Sequence, residues 1–347
     1  MEYINKTPEL VTVMDLWEPV EAEYRERTPT SRELFHETSD HVPVGVASSY
    51  RAWDPHPLFI EKAKGAYLHD VDGNSYIDFD MNNGAGMSGH AHPEITEAVT
   101  EQLQQGTLYT HPHELLAEAA GELKKRWDSV DKVRFTNSGT ESTMHAIRIA
   151  RAHSGKDKLL KIEGAYHGCH DYVLMNKSTP GRLSGHPERP ARVVESDGVP
   201  EKVAETVEIA PWNNLEATER ILRDNINEIG ALIVEPIVMN VGMTQPYGDF
   251  LQGLRELCDE YGITYIFDEV KTGVKIAPGG AAEYYDVEPD LVTMAKSIGG
   301  NFPVGAIGGK EEVMERIEHG TAHYGTYNGS PLVLRALVTQ LRDVLTE

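Results

Sequence analysis

Ile263-Thr-Tyr-Ile-Phe-Asp268-Glu269-Val270 is the stretch on which the fold turns. A short apolar run that does not alternate with polar residues reads as a strand buried on both faces. Gly262 precedes it and stops an amphipathic helix over Asp249–Tyr261. The same rhythm extends outward. Leu215 to Ile229 reads as a helix ended by Gly230, and Ala231–Glu235 as a second buried strand; Leu291–Ala295 reads as a third. Upstream, Lys132–Thr136 and Leu159–Glu163 are strand-like, and Glu141–His153 is helical with Gly155 behind it. Buried strands alternating with amphipathic helices specify an α/β fold, a large domain with a mainly parallel sheet covered by helices.

Outside this core the pattern is less regular. The first forty residues are acidic, and Pro8, Pro19 and Pro29 are expected to break any long helix. Asp70-Val-Asp72-Gly73-Asn74 reads as a hairpin turn. Pro93 is placed to open a helix that ends near Gly106, and His113–Trp127 reads as another. Gly164–Pro211, rich in Pro, Gly and His, reads as a long functional loop. Pro331 to Thr346 reads as one long helix.

The chain of 347 residues carries 55 acidic and 32 basic side chains, a formal charge of −23. That balance argues against nucleic acid or an anionic membrane surface as partner, since both need clustered Lys and Arg. Two cysteines, Cys169 and Cys258, cannot make a disulfide framework, and no signal peptide or membrane span is legible. A cytoplasmic location is the expectation.

Four motifs bear on chemistry. Gly84-Ala-Gly86-Met-Ser-Gly89 matches a dinucleotide fingerprint literally, but the next helix begins only at Pro93 and no ribose-binding acid follows some twenty residues on, so a glycine-rich turn is the better reading. Ser138-Gly139-Thr140-Glu141, between a strand and a helix, is either a phosphate cup at a helix N-terminus or a plain helix cap. Asp268 ends a buried strand, where open α/β sheets bind their ligands; the alternative is an exposed helix cap. Lys296 follows the apolar run Leu291–Ala295 and is either a solvated lysine at a strand end or one whose desolvation lowers its pKa and activates its amine. Together, a phosphate cup, a strand-end acid and a strand-end lysine are the set that pyridoxal phosphate requires. His167, Cys169 and His170 lie close together without the spacing of a zinc site, and no metal is expected.

From about Val44 onward the chain resembles the class III aminotransferases of the pyridoxal-phosphate fold type I superfamily, most closely their 2,1-aminomutase branch, which acts on glutamate 1-semialdehyde. The resemblance rests on Asp78-Phe79, Gly89-His-Ala-His92-Pro93, Asn137-Ser-Gly-Thr-Glu141, Tyr166-His-Gly168, Glu235-Pro236, Phe267-Asp-Glu-Val270, Ala295-Lys296 and Gly325-Thr326-Tyr-Asn-Gly-Ser-Pro331. It implies pyridoxal 5'-phosphate as cofactor, with Lys296 as the Schiff-base lysine and later the proton carrier. It also implies that Asp268 pairs with the ring nitrogen, Val270 and Tyr166 cover the two ring faces, Asn240 approaches the ring hydroxyl, and Ser138, Gly139 and Thr140 hold the phosphate. Thr326 would reach the phosphate of a second subunit, making a homodimer with shared sites. Ser48 and Arg51 sit where the mutase pattern grips a substrate carboxylate. His90, His92 and Glu269 are read as structural.

The resemblance further implies a small α+β domain that is incomplete here: residues 1–70 as its N-terminal segment, 71–315 as the large cofactor domain and 316–347 as the start of a truncated C-terminal part. Lys275 stands where the mutase pattern usually has Arg, and Asp80-Met-Asn-Asn-Gly84 is unusual for it. The function implied is conversion of glutamate 1-semialdehyde to 5-aminolevulinate, for tetrapyrrole synthesis. The alternatives are an intermolecular aminotransferase acting on an amino acid or β-amino acid with a keto acceptor, and a non-catalytic relative.

Overall fold

The computed structural model describes residues 13–346. The chain divides into two units: one runs to Phe79 and takes in Gly89–Ala91, the other comprises Asp80–Ser88 and the chain from His92 onward.

The first unit contains helices Val13–Arg27 and Pro29–Ser39 and an antiparallel sheet of β1 (Ile60–Lys64), β2 (Tyr67–Asp70) and β3 (Ser75–Ile77). The expected hairpin turn is present. The Asp70 carboxylate accepts from the backbone N–H of Asp72 (3.0 Å) and Asn74 (2.7 Å) and from the Tyr76 hydroxyl (2.8 Å). Pro29 opens its helix, but Pro19 lies inside the first one rather than breaking it. A proline in mid-helix removes one backbone hydrogen bond, which can kink a helix without ending it. Pro8 lies outside the described residues.

The second unit is built on a seven-stranded sheet. Its strands are β4 (Lys132–Thr136), β5 (Lys158–Ile162), β8 (Val207–Ala210), β9 (Ile229–Val234), β10 (Thr264–Asp268), β11 (Leu291–Met294) and β12 (Gly305–Gly309), in the order β4-β12-β11-β10-β9-β5-β8. A separate two-stranded ribbon pairs β6 (Gly185–His186) with β7 (Arg189–Pro190). Six strands of the main sheet share one direction, and β12 runs against both of its neighbours. The sheet is therefore mainly parallel, as expected.

Alternate residues of the central strands feed two cores. Leu160, Ile162, Leu232, Val234, Tyr265 and Phe267 pack with Leu222 and Leu254, from helices Leu215–Asp224 and Phe250–Tyr261. Leu159, Ala231, Ile233 and Ile266 pack with Ile147 and Ala150, from helix Gly139–Ser154 on the opposite face. Period-two alternation within continuously apolar runs is what a doubly covered sheet demands.

Some boundaries differ from the sequence reading. The helix from Leu215 ends at Asp224, and Gly230 belongs to β9 rather than stopping a helix. It is small because a Cβ there would run into Ser154 Oγ. The irregular stretch 164–211 contains β8. The helix from Pro331 is regular only to Thr339 and then widens into a π turn over Gln340–Val344. Among the described residues no helix is long and apolar enough to cross a membrane.

Candidate active site

Five strands of common direction, β4, β5, β9, β10 and β11, deliver the site at their C-terminal ends. Past β4, Ser138 caps helix Gly139–Ser154, its Oγ accepting from the Glu141 N–H (3.1 Å). The Glu141 carboxylate reaches back to the Asn137 N–H (2.7 Å). The cap reading is thus realised, and it leaves the first amides of the helix without an acceptor inside the helix, as an anion site requires. A Cβ on Gly139 would stand 2.8 and 2.9 Å from the Val270 methyls, so only glycine lets the cup close on that side chain. Thr140 Oγ1 accepts from the Cys169 N–H (3.2 Å), tying the cup to the segment after Tyr166.

Asp268, at the end of β10, is 3% exposed. Its Oδ2 contacts His167 Nδ1 at 2.8 Å, and its Oδ1 accepts from Thr293 Oγ1 (3.0 Å) and the Val270 N–H (3.1 Å). The network assigns the His167 proton to Nδ1, leaving Nε2 buried and unpartnered. Each carboxylate oxygen has two lone pairs, so Oδ2 can accept a second donor.

Beyond β9, Glu235 is 2% exposed. It accepts from the Tyr166 N–H (2.6 Å) and from Lys271 Nζ (2.8 Å). Lys271 also donates to Asn240 Oδ1 (2.9 Å) and lies 5.3 Å from the centre of the Tyr166 ring. Tyr166, which the resemblance sets on a ring face, and Asn240, which it sets near the ring hydroxyl, are thus joined through Glu235 and Lys271.

Lys296 follows β11 with φ +53°, a left-handed conformation that costs a non-glycine residue about 1–3 kcal/mol. Burial and the neighbouring Lys271 ammonium lower its pKa, against the pull of Asp268, Glu235 and Asp80. Gln340 Nε2 holds the following Ser297 carbonyl at 2.9 Å.

Thr326 is exposed on a turn whose Asn328 accepts from Asn137 Nδ2 (2.8 Å), beside the cup. Ser48 and Arg51 lie in the first unit, on an extended residue and a single 3-10 turn; the exposed Arg51 donates to its neighbour's Tyr50 hydroxyl (3.1 Å). Glu269 is filled by Thr272, Ala281, Ala282 and Trp127 as donors, in keeping with a structural role. Among the described residues no three or more His, Cys, Asp or Glu side chains are grouped to hold a metal ion. His167 and Lys271 carry no assignment in the sequence because their partners lie far away along the chain.

The family model for class III aminotransferases matches residues 49–347. The chain belongs to the class III aminotransferase family. A glutamate-1-semialdehyde 2,1-aminomutase of Methanocaldococcus jannaschii is 43% identical over 316 residues, covering 90% of this chain and 72% of that relative. Among solved structures, an omega-transaminase from Sphaerobacter thermophilus superposes with a TM-score of 0.88 at 36% identity, covering 92% of this chain and 74% of the other. A transaminase with PLP bound gives 0.85 at 31%, covering 91% and 73%.

Proposed function

We propose that this chain is a pyridoxal-phosphate enzyme that moves an amino group, acting as a glutamate-1-semialdehyde 2,1-aminomutase that yields 5-aminolevulinate. One observation carries the reading: a helix N-terminus, a buried carboxylate and a desolvated lysine meet at the C-terminal ends of parallel strands of one sheet. The residues present fit the cofactor. The open amides at Gly139 and Thr140 suit its phosphate, the spare capacity of Asp268 suits a protonated ring nitrogen, and the Val270 and Tyr166 side chains supply flat apolar contact.

When bound, pyridoxal phosphate supplies an exchangeable aldehyde and an electron-withdrawing ring. The protein does the rest. Asp268, steadied by His167 and Thr293, keeps a proton on the ring nitrogen. Lys296, its pKa lowered by burial and by Lys271, gives up a proton more readily than a free lysine and carries the proton between neighbouring substrate carbons. Ser138 holds the helix terminus in place, and Lys271 and Glu235 keep Asn240 and Tyr166 in position. A cytoplasmic homodimer in which Thr326 completes the partner's phosphate site belongs to the same reading, supported by the exposure of that threonine.

The test is visible absorption of the protein with pyridoxal phosphate, followed by borohydride reduction and peptide mapping. A band that becomes a permanent adduct on Lys296, absent in Lys296→Ala, is expected; a folded wild-type protein without it overturns the reading. The likeness to the Sphaerobacter omega-transaminase favours a second reading, intermolecular transfer. Turnover of glutamate 1-semialdehyde without added keto acid separates the two.

A further inference from the structure

Next to Lys296 lies a cation with no counter-charge. Lys275 is half-buried, and among the described residues its Nζ makes no hydrogen bond and no ion pair. The charges that press on it are those of Lys296 and Lys271, both cationic. Three other part-buried lysines do have a carboxylate: Lys271 is paired with Glu235, Lys158 with Glu208 and Glu228, and Lys310 with Asp290. Buried Lys161 also lacks a carboxylate, but its Nζ donates to the Ile162 and Ala165 carbonyls; Lys275 has no such bond, and a partly desolvated charge without a partner costs stability.

The wall it faces is equally unusual. Met81, Asn82, Asn83 and Gly84 have φ of +50°, +56°, +54° and +74°, a full left-handed turn. Such a turn costs roughly 1–2 kcal/mol for each residue other than glycine. It is closed by Asp80, whose carboxylate accepts from the Asn83 N–H (2.6 Å). It is fastened to the loop that carries Lys296: Asn82 Nδ2 donates to Asn301 (3.2 Å), and Ser297 Oγ to the Gly84 carbonyl (3.4 Å). A Cβ on Gly84 would come within 2.9 Å of Lys275 Nζ. One glycine therefore touches both the lysine amine and the residue after Lys296.

We propose that Lys275 is the seat of the substrate carboxylate, its ammonium waiting at the left-handed turn beside the reactive amine of Lys296. The inference rests on the amino-transfer reading above and deepens it by naming the residue that receives the substrate carboxylate. An ammonium is a point charge, whereas a guanidinium offers a two-pronged fork. It accepts a single carboxylate without fixing its plane, and the incoming anion supplies the charge that the protein withholds.

The probe is glutarate, an unreactive dicarboxylate, titrated into the cofactor-loaded protein and followed by the visible band. Lys275→Met is expected to leave pyridoxal-phosphate affinity intact and to raise the glutarate Kd by about tenfold to a hundredfold, the scale of one charge-assisted contact. Lys275→Arg is expected to restore most of it. Lys275→Gln repeats the test without introducing an apolar side chain. In turnover, the KM for glutamate 1-semialdehyde rises far more than kcat falls. Unchanged glutarate binding in Lys275→Met and Lys275→Gln overturns the proposal, as does loss of that binding in Arg51→Ala alone. Weakened pyridoxal-phosphate binding with unchanged glutarate binding assigns Lys275 to the cofactor's phosphate and also overturns it. A wild-type protein without the visible band fails at the earlier step and overturns both readings; a band with no effect at Lys275 overturns only this one.

Discussion

Asp268 depends on His167, 101 positions earlier. Replacing that histidine with phenylalanine keeps a flat ring but removes a donor from a buried carboxylate. The expected cost is about 1–3 kcal/mol, read as a lower urea midpoint together with weaker cofactor binding. Lys275 yields a second prediction. Burial, with the charges of Lys296 and Lys271, brings its pKa down to about 8; Asp80, Asp268 and Glu235 act on Lys296 in the opposite sense. The ammonium is present below that pH and lost above it, so glutarate affinity is expected to fall by about tenfold per pH unit beyond about pH 8. In Lys275→Arg the fall should vanish from this range. Lys296 and Asp268 are legible in the sequence because each pairs an ionisable side chain with the end of an apolar strand. His167 and Lys271 are not, because what gives them meaning is a partner brought near only by the sheet.

At the scale of elements, the proposed cup is built on a helix cap. Ser138→Ala removes an N-cap acceptor and should lower stability by about 1 kcal/mol in a urea titration. Gly139→Ala should act differently: the new methyl meets Val270, so cofactor affinity is expected to fall by more than stability does, as a fluorescence titration would read. The helices and strands that are easy to read are those whose side chains repeat. Ile263–Asp268 and Asp249–Tyr261 differ from their observed limits by a single residue at the N-terminal end. β12, Gly-Ala-Ile-Gly-Gly, has too few side chains to show alternation, and β8 is short and set among prolines and glycines. Gly230 misleads because a glycine required by close packing looks the same as one that ends a helix.

For the whole molecule, acid is the expected weakness. Burial leads in lowering His56, His145, His170 and His323, the last two to about 4. These rings take up protons more readily when the chain is unfolded. Their contribution is therefore complete above about pH 6.5 and declines as pH falls toward 4, so melting temperatures should drop across that window. A flat profile between pH 7 and 4.5 would contradict this. The sheet order also carries a message about time. β4 is encoded early, yet among the described strands it pairs only with β12, whose first residue comes 169 positions after Thr136. During synthesis β4 must wait with an open edge until residues 305–309 leave the ribosome. The proposed phosphate cup at its tip is therefore written long before the strand that completes its sheet, and it is fully supported only once residues 305–309 have emerged. Until then a nascent chain presents an unpaired strand, the kind of surface that chaperones shield and that aggregates when they do not.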